Sequence, residues 1–585
     1  MANIILNEEQ NNVYNNLLKF LNSDESEVLL IGYAGTGKTT LITKFINDII
    51  NDKLVKRIAI AAPTHKAVGI IKNKLYGNIY EKEKSKNLMK YVEVLTIHRL
   101  LNYQNYIDNN GNTYFAKGLV DTNWDIYNLI VIDECSMLNN QIINDIVLEL
   151  QRNYEENKNN KLKVIYLGDP AQLPPVNQKI SKIFTRDITK YYLEKIIRTK
   201  NNNIMDLSNQ HRKWILSGND DDMPNLELYN SNTIKIHDNS SEWLNNFITN
   251  NSKNNIILSW TNKKCNLYND YIRKAIFKKE NLAKYELGEI LIFQDYYRVK
   301  LGDYDKDNNK DNNNNNNNYI NFYTSEQVKL YDIKTRITKF DNLKVKKSSS
   351  FLPQNIVDIY TDYVNKLNKI IDDNPIRIYE MQVRKINSDE NIYVDNFNKL
   401  KKKIEINIYK SKSKTLSQYE KLVLINNIDK NINFMNNLVH KYNETLFTNG
   451  LNDENITIMT IHEDDIIKYN EIVEIGNIKL LKLKEKLYSK INKIKDIDNM
   501  EKCNLFSIIE KKMNTLWKEW QNKIIDSMAQ LNYGYCITVH KSQGSTFNNV
   551  YIDIADIFEN KSKDEVLKCL YTAITRTSDS LELLL

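Results

Sequence analysis

The chain has 585 residues, of which 41% are hydrophobic and 26% charged, and its net charge is +7. That is the balance of a soluble globular protein with room for roughly four domains. It excludes a disordered or fibrous chain, and no apolar run approaches the ~20 residues that span a bilayer. Residues 1–10 lack a basic-then-apolar leader pattern, so a soluble intracellular protein with no membrane partner is expected. The cysteines Cys135, Cys265, Cys503, Cys536 and Cys569 are scattered with no C-x-x-C pair, which argues against a disulfide framework or a zinc site. Cys135 and Cys536 sit in strand-like runs and read as small buried residues. A basic excess this small is compatible with a nucleic-acid partner without indicating one.

In chain order, Asn7 and Gln10 have the spacing of a helix capping box. The apolar run Val28–Ile31 then enters Gly32-Tyr-Ala-Gly-Thr-Gly-Lys38-Thr39, and a helical pattern follows over Thr40–Ile50. This is G-x-x-x-x-G-K-[ST] between a strand and a helix, the context that a phosphate-binding loop requires. Gly32, Gly35 and Gly37 let backbone N–H groups of Thr36, Thr40 and their neighbours point into one concavity. Lys38 then reaches the β- and γ-phosphates and Thr39 ligates Mg²⁺, so ATP and Mg²⁺ are the expected cofactors. Further apolar runs at Ile58–Ile60, Leu129–Ile132 and Val164–Leu167 predict a parallel sheet covered on both faces. Asp133-Glu134 closes the third run. Asp133 is assigned to the metal and Glu134 to the general base, although an acidic pair at a strand end also caps helices.

Between residues 101 and 124, two aromatic-rich runs flank Asn109-Asn110-Gly111, the strongest short hairpin signal. Tyr103, Tyr106, Tyr114 and Phe115 would lie on it, either as an exposed aromatic face or packed on the first domain. A second strand set, Ile256–Leu258, Tyr535–Val539 and Val550–Asp553, predicts a second α/β domain. Its halves span residues 201–287 and 526–585. The interruption, residues 288–525, alternates like strands near 290–300, 328–338, 376–386 and 455–462, and reads as helix over 354–372, 397–448 and 464–530. An inserted β-barrel and a helical arm are expected there. The tract Asn312–Asn318 makes residues 305–318 a solvated loop without a site.

Besides the phosphate loop, six segments in order resemble the motifs of superfamily 1 helicases: Ala62-Pro-Thr-His-Lys-Ala67, Thr96-Ile-His-Arg-Leu100, Asp133-Glu-Cys-Ser-Met137, Gly168-Asp-Pro-Ala-Gln-Leu-Pro-Pro-Val176, and the late pair Val539-His-Lys-Ser-Gln-Gly-Ser-Thr546 with Tyr571-Thr-Ala-Ile-Thr-Arg576. The late pair is similar to the RecD-like and bacteriophage Dda-like group, the 5′-to-3′ branch. The resemblance runs from about residue 7 to 577 and is poor in the middle, although Phe322–Lys329 and Ile376–Val383 look like the SH3-like barrel of Dda-like enzymes.

The resemblance implies an α/β fold of two RecA-like parallel-sheet motor domains, with a hairpin insertion in the first (residues 1–200) and a barrel and arm in the second. It implies that Gln172 senses the γ-phosphate, that Arg198 and Arg576 are arginine fingers, and that Gln10 reads adenine. It places Thr64, His65, Thr96, His98, His540, Lys541, Ser542 and Gln543 against a nucleic-acid backbone, and it makes the hairpin a strand-separating wedge. The implied activity is ATP-dependent 5′-to-3′ unwinding on single-stranded DNA and forks, in replication, repair or recombination. The chain would work as a monomer, with a single-strand-binding protein or replisome component as candidate partner. Two other readings stand: a translocase that strips protein with little unwinding, and an ATP-gated factor that only occupies DNA.

Overall fold

A computed structural model describes residues 6–76, 90–107, 113–118, 122–156, 162–199, 201–250, 255–300, 319–344, 352–386, 456–494 and 498–585, with Leu88, Ile428 and Ile432 as isolated positions. The asparagine tract, the hairpin tip at 108–112 and almost all of the helical pattern at 397–448 lie outside these residues.

The first domain contains β1 (Glu27–Gly32), β2 (Ile58–Ala62), β3 (Val92–Thr96), β4 (Tyr103–Ile107), β5 (Thr113–Lys117), β6 (Leu129–Ile132), β7 (Lys163–Gly168) and β8 (Thr189–Leu193). Six of them form one parallel sheet in the order β3-β2-β6-β7-β1-β8. The inner strands are buried residue after residue, which is why they read as unbroken apolar runs. Helices pack on both faces, around Phe45 and Ile46 on one side and Ile143 and Tyr166 on the other. The edge strands β3 and β8 carry Glu93, Lys190 and Tyr192 because one side of each is solvated. Neither gives an apolar run in the sequence.

The second domain repeats the plan with β9 (Ile234–His237) and β10 (Asn255–Ser259). The chain then leaves through β11 (Ile290–Phe293), β12 (Tyr297–Lys300), β13 (Tyr319–Phe322), β14 (Gln327–Thr338), β15 (Ile376–Lys385), β16 (Ile456–Ile461) and β17 (Leu531–Tyr533). It returns through β18 (Cys536–Thr538), β19 (Phe547–Asp553) and β20 (Thr577–Leu584). The motor sheet is parallel in the order β18-β10-β19-β20-β9. The two parallel sheets make this an α/β chain of two RecA-like domains.

The insertion is an antiparallel sheet, β16-β15-β14-β11-β17, with the ribbon β12-β13 sharing its core around Phe293, Phe322 and Met381. One boundary moves. The second motor domain does not resume at residue 526, because β17 still pairs with β11 and packs Leu531 and Tyr533 on the barrel core. The motor sheet resumes at Cys536. Among the described residues, the arm comprises helices Gln354–Asp373, Ile466–Asn492 and Asn499–Trp520 around Leu367, Leu483 and Trp520. The helical pattern over 464–530 holds two of these helices, and Asp498 caps the second by accepting from Glu501 N–H.

Candidate active site and nucleic-acid interface

The phosphate loop leaves β1 at the C-terminal edge of the sheet, where open α/β sheets bind ligands. Gly35 and Gly37 have φ of +84° and +83°, which only glycine adopts without strain. Lys38 Nζ is folded into its own loop and donates to Gly32 O at 2.7 Å and Tyr33 O at 3.1 Å. Burial pulls its pKa down against Asp169, Glu134 and Asp133. Thr36 is buried, and Thr40 accepts from Lys74 Nζ at 3.3 Å. Gln10 does two things at once. It closes the capping box with Asn7, and its Nε2 donates to Thr36 O at 3.0 Å. Its Oε1 keeps one lone pair beyond the bond from Asn7 N–H.

Thr39 Oγ1 donates to Asp133 Oδ2 at 3.0 Å, so the two residues assigned to the metal meet across the sheet. Asp133 Oδ1 accepts from Glu134 N–H at 2.8 Å. Glu134 sits in the left-handed region at φ +54°, a conformation that a glutamate holds only when its surroundings impose it. Burial, and then Asp133, raise its pKa, as suits a proton acceptor.

The second domain supplies the far wall. Arg198 is clamped to the loop by its backbone, since Ile197 N–H and Arg198 N–H both donate to Gly35 O. Its side chain crosses to the helix Lys563–Ile574 and donates from Nη1 to Thr575 O at 2.7 Å. Arg576 is 1% exposed and donates to Thr572 O, Ser545 O and Thr575 Oγ1. Burial, and next the like charge of Arg198, push its pKa down to about 9. Gln172 is buried, and its Oε1 has no partner among the described residues.

Three further residues, not singled out in the sequence, tie the halves together. Ala34 N–H donates to Tyr571 Oη at 3.2 Å, and Tyr571 Oη donates to Asp169 Oδ2 at 3.0 Å. Asp169 Oδ1 forms a buried ion pair with Arg212, whose guanidinium lies 3.9 Å over the Tyr33 ring. Breaking a buried pair of this kind would leave an uncompensated charge in the interior. Tyr571 and Asp169 belong to the quoted motifs, so the signal was present. Arg212 lies in a helix with no motif.

The donor set fits Mg²⁺–ATP. A hydroxyl and a carboxylate meet at the loop, as a hard cation requires. Lys38, Arg198 and Arg576 are buried cations whose pKa values are all lowered by burial, and a buried amide oxygen lacks a partner. A polyanion would satisfy the three cations.

Away from this cleft lie the residues expected against a nucleic-acid backbone. Thr64, Thr96 and Thr538 follow β2, end β3 and end β18, and each side chain caps the helix that follows. His65 is exposed and stacks on Tyr296 of the barrel, while His98 sits edge-on to Tyr103 and Phe115. His540 is exposed with Nε2 3.7 Å from Glu565, and Lys541 Nζ donates to Gln294 at 3.5 Å. Gln543 Nε2 is buried without a partner among the described residues. Ser542 departs from its expected place against a strand: it is 0% exposed and spends its hydroxyl on Val539 O.

The hairpin departs as well. Tyr103 pairs with Lys117, Asn105 with Phe115 and Tyr106 with Tyr114, so cross-strand alternation divides the four aromatic positions between two faces. Tyr103 and Phe115 share the face toward His98, and Tyr103 donates its hydroxyl to Asp145 on the domain body. Tyr103 is therefore an anchor. Tyr114 and Phe115 are about half exposed.

Among the described residues no helix is long and apolar enough to cross a membrane, and no cluster of three or more metal-binding side chains occurs. Residues 19–178 match a family described as AAA domain, and residues 533–584 match the UvrD-like helicase C-terminal domain. The chain is 28% identical to an uncharacterized protein of Acanthamoeba polyphaga mimivirus over 99% of both chains. It is 27% identical to the ATP-dependent DNA helicase dda of Enterobacteria phage T4, over 50% of this chain and 61% of that one. It is also 31% identical to the RecBCD enzyme subunit RecD of Buchnera aphidicola, over 26% of this chain and 23% of that one. With the loop, the split cleft and these matches together, the chain is similar to superfamily 1 DNA helicases of the RecD-like and Dda-like group.

Proposed function

We propose that this chain hydrolyses ATP with Mg²⁺ to move 5′ to 3′ along single-stranded DNA and to separate duplex strands at forks. The observation that carries the proposal is the divided cleft. Lys38 and the Thr39–Asp133 pair stand on one motor domain, Arg576 stands on the other, and Arg198 is bonded to both.

Bound Mg²⁺–ATP supplies the phosphoanhydride and the metal charge. The loop amides and Lys38 bind phosphate oxygens, which requires Lys38 to release Gly32 O and Tyr33 O. Thr39 and Asp133 hold the metal. Glu134 accepts the proton of the attacking water. Arg198 and Arg576 offset developing charge, an effect worth about 10³–10⁵ in rate in related enzymes. Because both arginines engage the second domain, ATP binds the closed arrangement more tightly than an open one and hydrolysis releases it. Gln172, buried with its amide oxygen unpartnered among the described residues, would pass that change to the strand.

The 5′-to-3′ direction rests on the likeness of Val539–Thr546 to that branch, and the DNA substrate on the relatives' named activity. Soluble monomeric action, with a single-strand-binding protein or replisome component as partner, belongs to the same reading. Strand displacement on 5′-tailed, 3′-tailed and forked duplexes tests it. Unwinding that requires a 5′ tail is expected. Unwinding from 3′ tails alone would overturn the direction. DNA-stimulated hydrolysis without strand separation would favour a protein-displacing translocase.

A further inference from the structure

One contact between the barrel and the first motor domain has no part in the chemistry above. His65, at the start of the helix His65–Tyr76, stacks on Tyr296 with ring centroids 4.5 Å apart and planes 20° from parallel. Tyr296 lies in the turn between β11 and β12, and Tyr323, just after β13, lies 5.9 Å from it. Tyr323 rests on Gly69 of the same motor helix, where a Cβ would come within 2.5–2.8 Å of its ring. Only glycine lets the ring lie that close. The same barrel loops also hold the second motor domain: Ser325 Oγ donates to Lys541 O at 2.7 Å, and Lys541 Nζ reaches Gln294. One face of the barrel thus spans from Thr64-His65 to Lys541, across both motor domains.

A plain packing contact would be buried. Tyr296 is instead 36% exposed and His65 is exposed, and the Tyr296 hydroxyl is satisfied inside the barrel by donating to Asn321 Oδ1 at 2.7 Å. His65 covers one face of the Tyr296 ring, and the exposed part of the pair is left for another flat partner. Lys72 and Lys541 supply positive charge for a backbone passing the rings.

We propose that Tyr296, backed by Tyr323, is a base-stacking platform on the barrel, and that a nucleobase of single-stranded DNA enters or extends the His65–Tyr296 stack so that the strand threads between barrel and motor. This rests on the reading of the chain as a single-strand translocase. Base–aromatic stacking tolerates any base, as a translocase requires.

The test uses the full chain without nucleotide, a labelled oligothymidylate for anisotropy, and the same oligonucleotide carrying one 2-aminopurine as the stacking reporter. Wild type is expected to bind and to change the 2-aminopurine emission. Tyr296→Ala should weaken binding about 10-fold, within the range for losing one stacked base, and abolish the emission change. Tyr296→Leu keeps the bulk without the π face and should also abolish the emission change, whereas Tyr296→Phe should behave as wild type. Wild-type affinity and emission in both the Ala and Leu variants would overturn the platform. A wild-type chain that binds no single strand would overturn the translocase reading and this inference with it.

Discussion

The two motor domains share one scaffold and differ in what stands at their strand ends. The first closes its sheet within residues 27–193 and places a glycine-rich loop after β1. The second draws its strands from residues 234 to 584, around an inserted barrel and arm, and its contribution to the cleft is the end of the helix Lys563–Ile574, with Tyr571 and Arg576. One domain can therefore bind a nucleotide through its own loop, while the other acts only by closing against it. On the proposed reading, chemistry divided in this way would make domain motion a condition of hydrolysis rather than its by-product.

The largest expected effects separate these roles. Lys38→Ala and Arg576→Ala should each lower DNA-stimulated phosphate release by about 10³-fold or more. They should differ in binding. Lys38→Ala loses nucleotide affinity because the loop loses its charge, whereas Arg576→Ala keeps it within a few-fold and loses the ATP-dependent change in DNA affinity. A fluorescent-nucleotide titration beside phosphate release checks this. If Arg576→Ala weakens nucleotide binding as much as Lys38→Ala, the halves are not divided as argued. Glu134→Gln should bind ATP and DNA and not turn over, and near wild-type hydrolysis would remove Glu134 from the role of base.

A smaller effect is expected at the bridge. Tyr571→Phe deletes one hydroxyl and leaves Ala34 N–H and an Asp169 oxygen short of a partner in a buried place. Such losses cost about 1–3 kcal/mol each. The ring and its packing remain, so kcat should fall on the order of 10-fold with KM for ATP little changed, because the loop still binds but is no longer held against the second domain. A rise in KM with unchanged kcat would show that the bridge serves binding alone.

The contrast between the domains also explains what the sequence reveals. Buried central strands such as Leu129–Ile132 and Ile256–Leu258 announce themselves, since both faces need apolar residues. The edge strands β3, β8 and β9 do not, because Glu93, Lys190 and Lys235 interrupt the run. Within the site, residues whose chemistry is local, such as Lys38, Thr39 and Asp133, are legible from spacing. Arg212 is not, because its meaning comes from Asp169, 43 positions away in the chain. The pairing of Tyr103 and Phe115 on one face of the hairpin was equally hidden, since a hairpin's faces follow from its register and not from its aromatic content.

That register sharpens the wedge idea. Tyr103 is anchored through Asp145, and Lys117 pairs with Glu149 on the same supporting helix, so the base of the hairpin is structural. Among the described hairpin side chains, the exposed rings are Tyr114 and Phe115. Shortening residues 103–115 to a Gly-Ser link should lower strand separation sharply while DNA-stimulated hydrolysis persists. The milder Tyr114→Ala with Phe115→Ala should lower unwinding several-fold, because one base-pair step averages about 1.4 kcal/mol and a single stacking contact is of that size. Unwinding equal to wild type in the shortened chain would end the wedge hypothesis, and equal loss of hydrolysis and unwinding would make the hairpin structural throughout.

The smallest effect on activity is expected in the arm. Gly476 lies inside the helix Ile466–Asn492, where glycine is intrinsically unfavourable. Its place is explained by Trp520, which is fully buried in the facing helix and whose ring occupies the space a Cβ at residue 476 would take. Gly476→Ala gains helix propensity of roughly 1 kcal/mol but must displace the indole, and overpacking of a core costs about 1–3 kcal/mol. The balance should therefore be unfavourable, lowering the arm's resistance to proteolysis and its melting temperature by a few degrees. Phosphate release should stay at the wild-type rate, because the Gly476–Trp520 contact belongs to the arm's own core and not to either motor sheet. If hydrolysis falls in step with arm stability, the insertion is coupled to the motor, and the second domain's long detour serves the cleft as well as the strand.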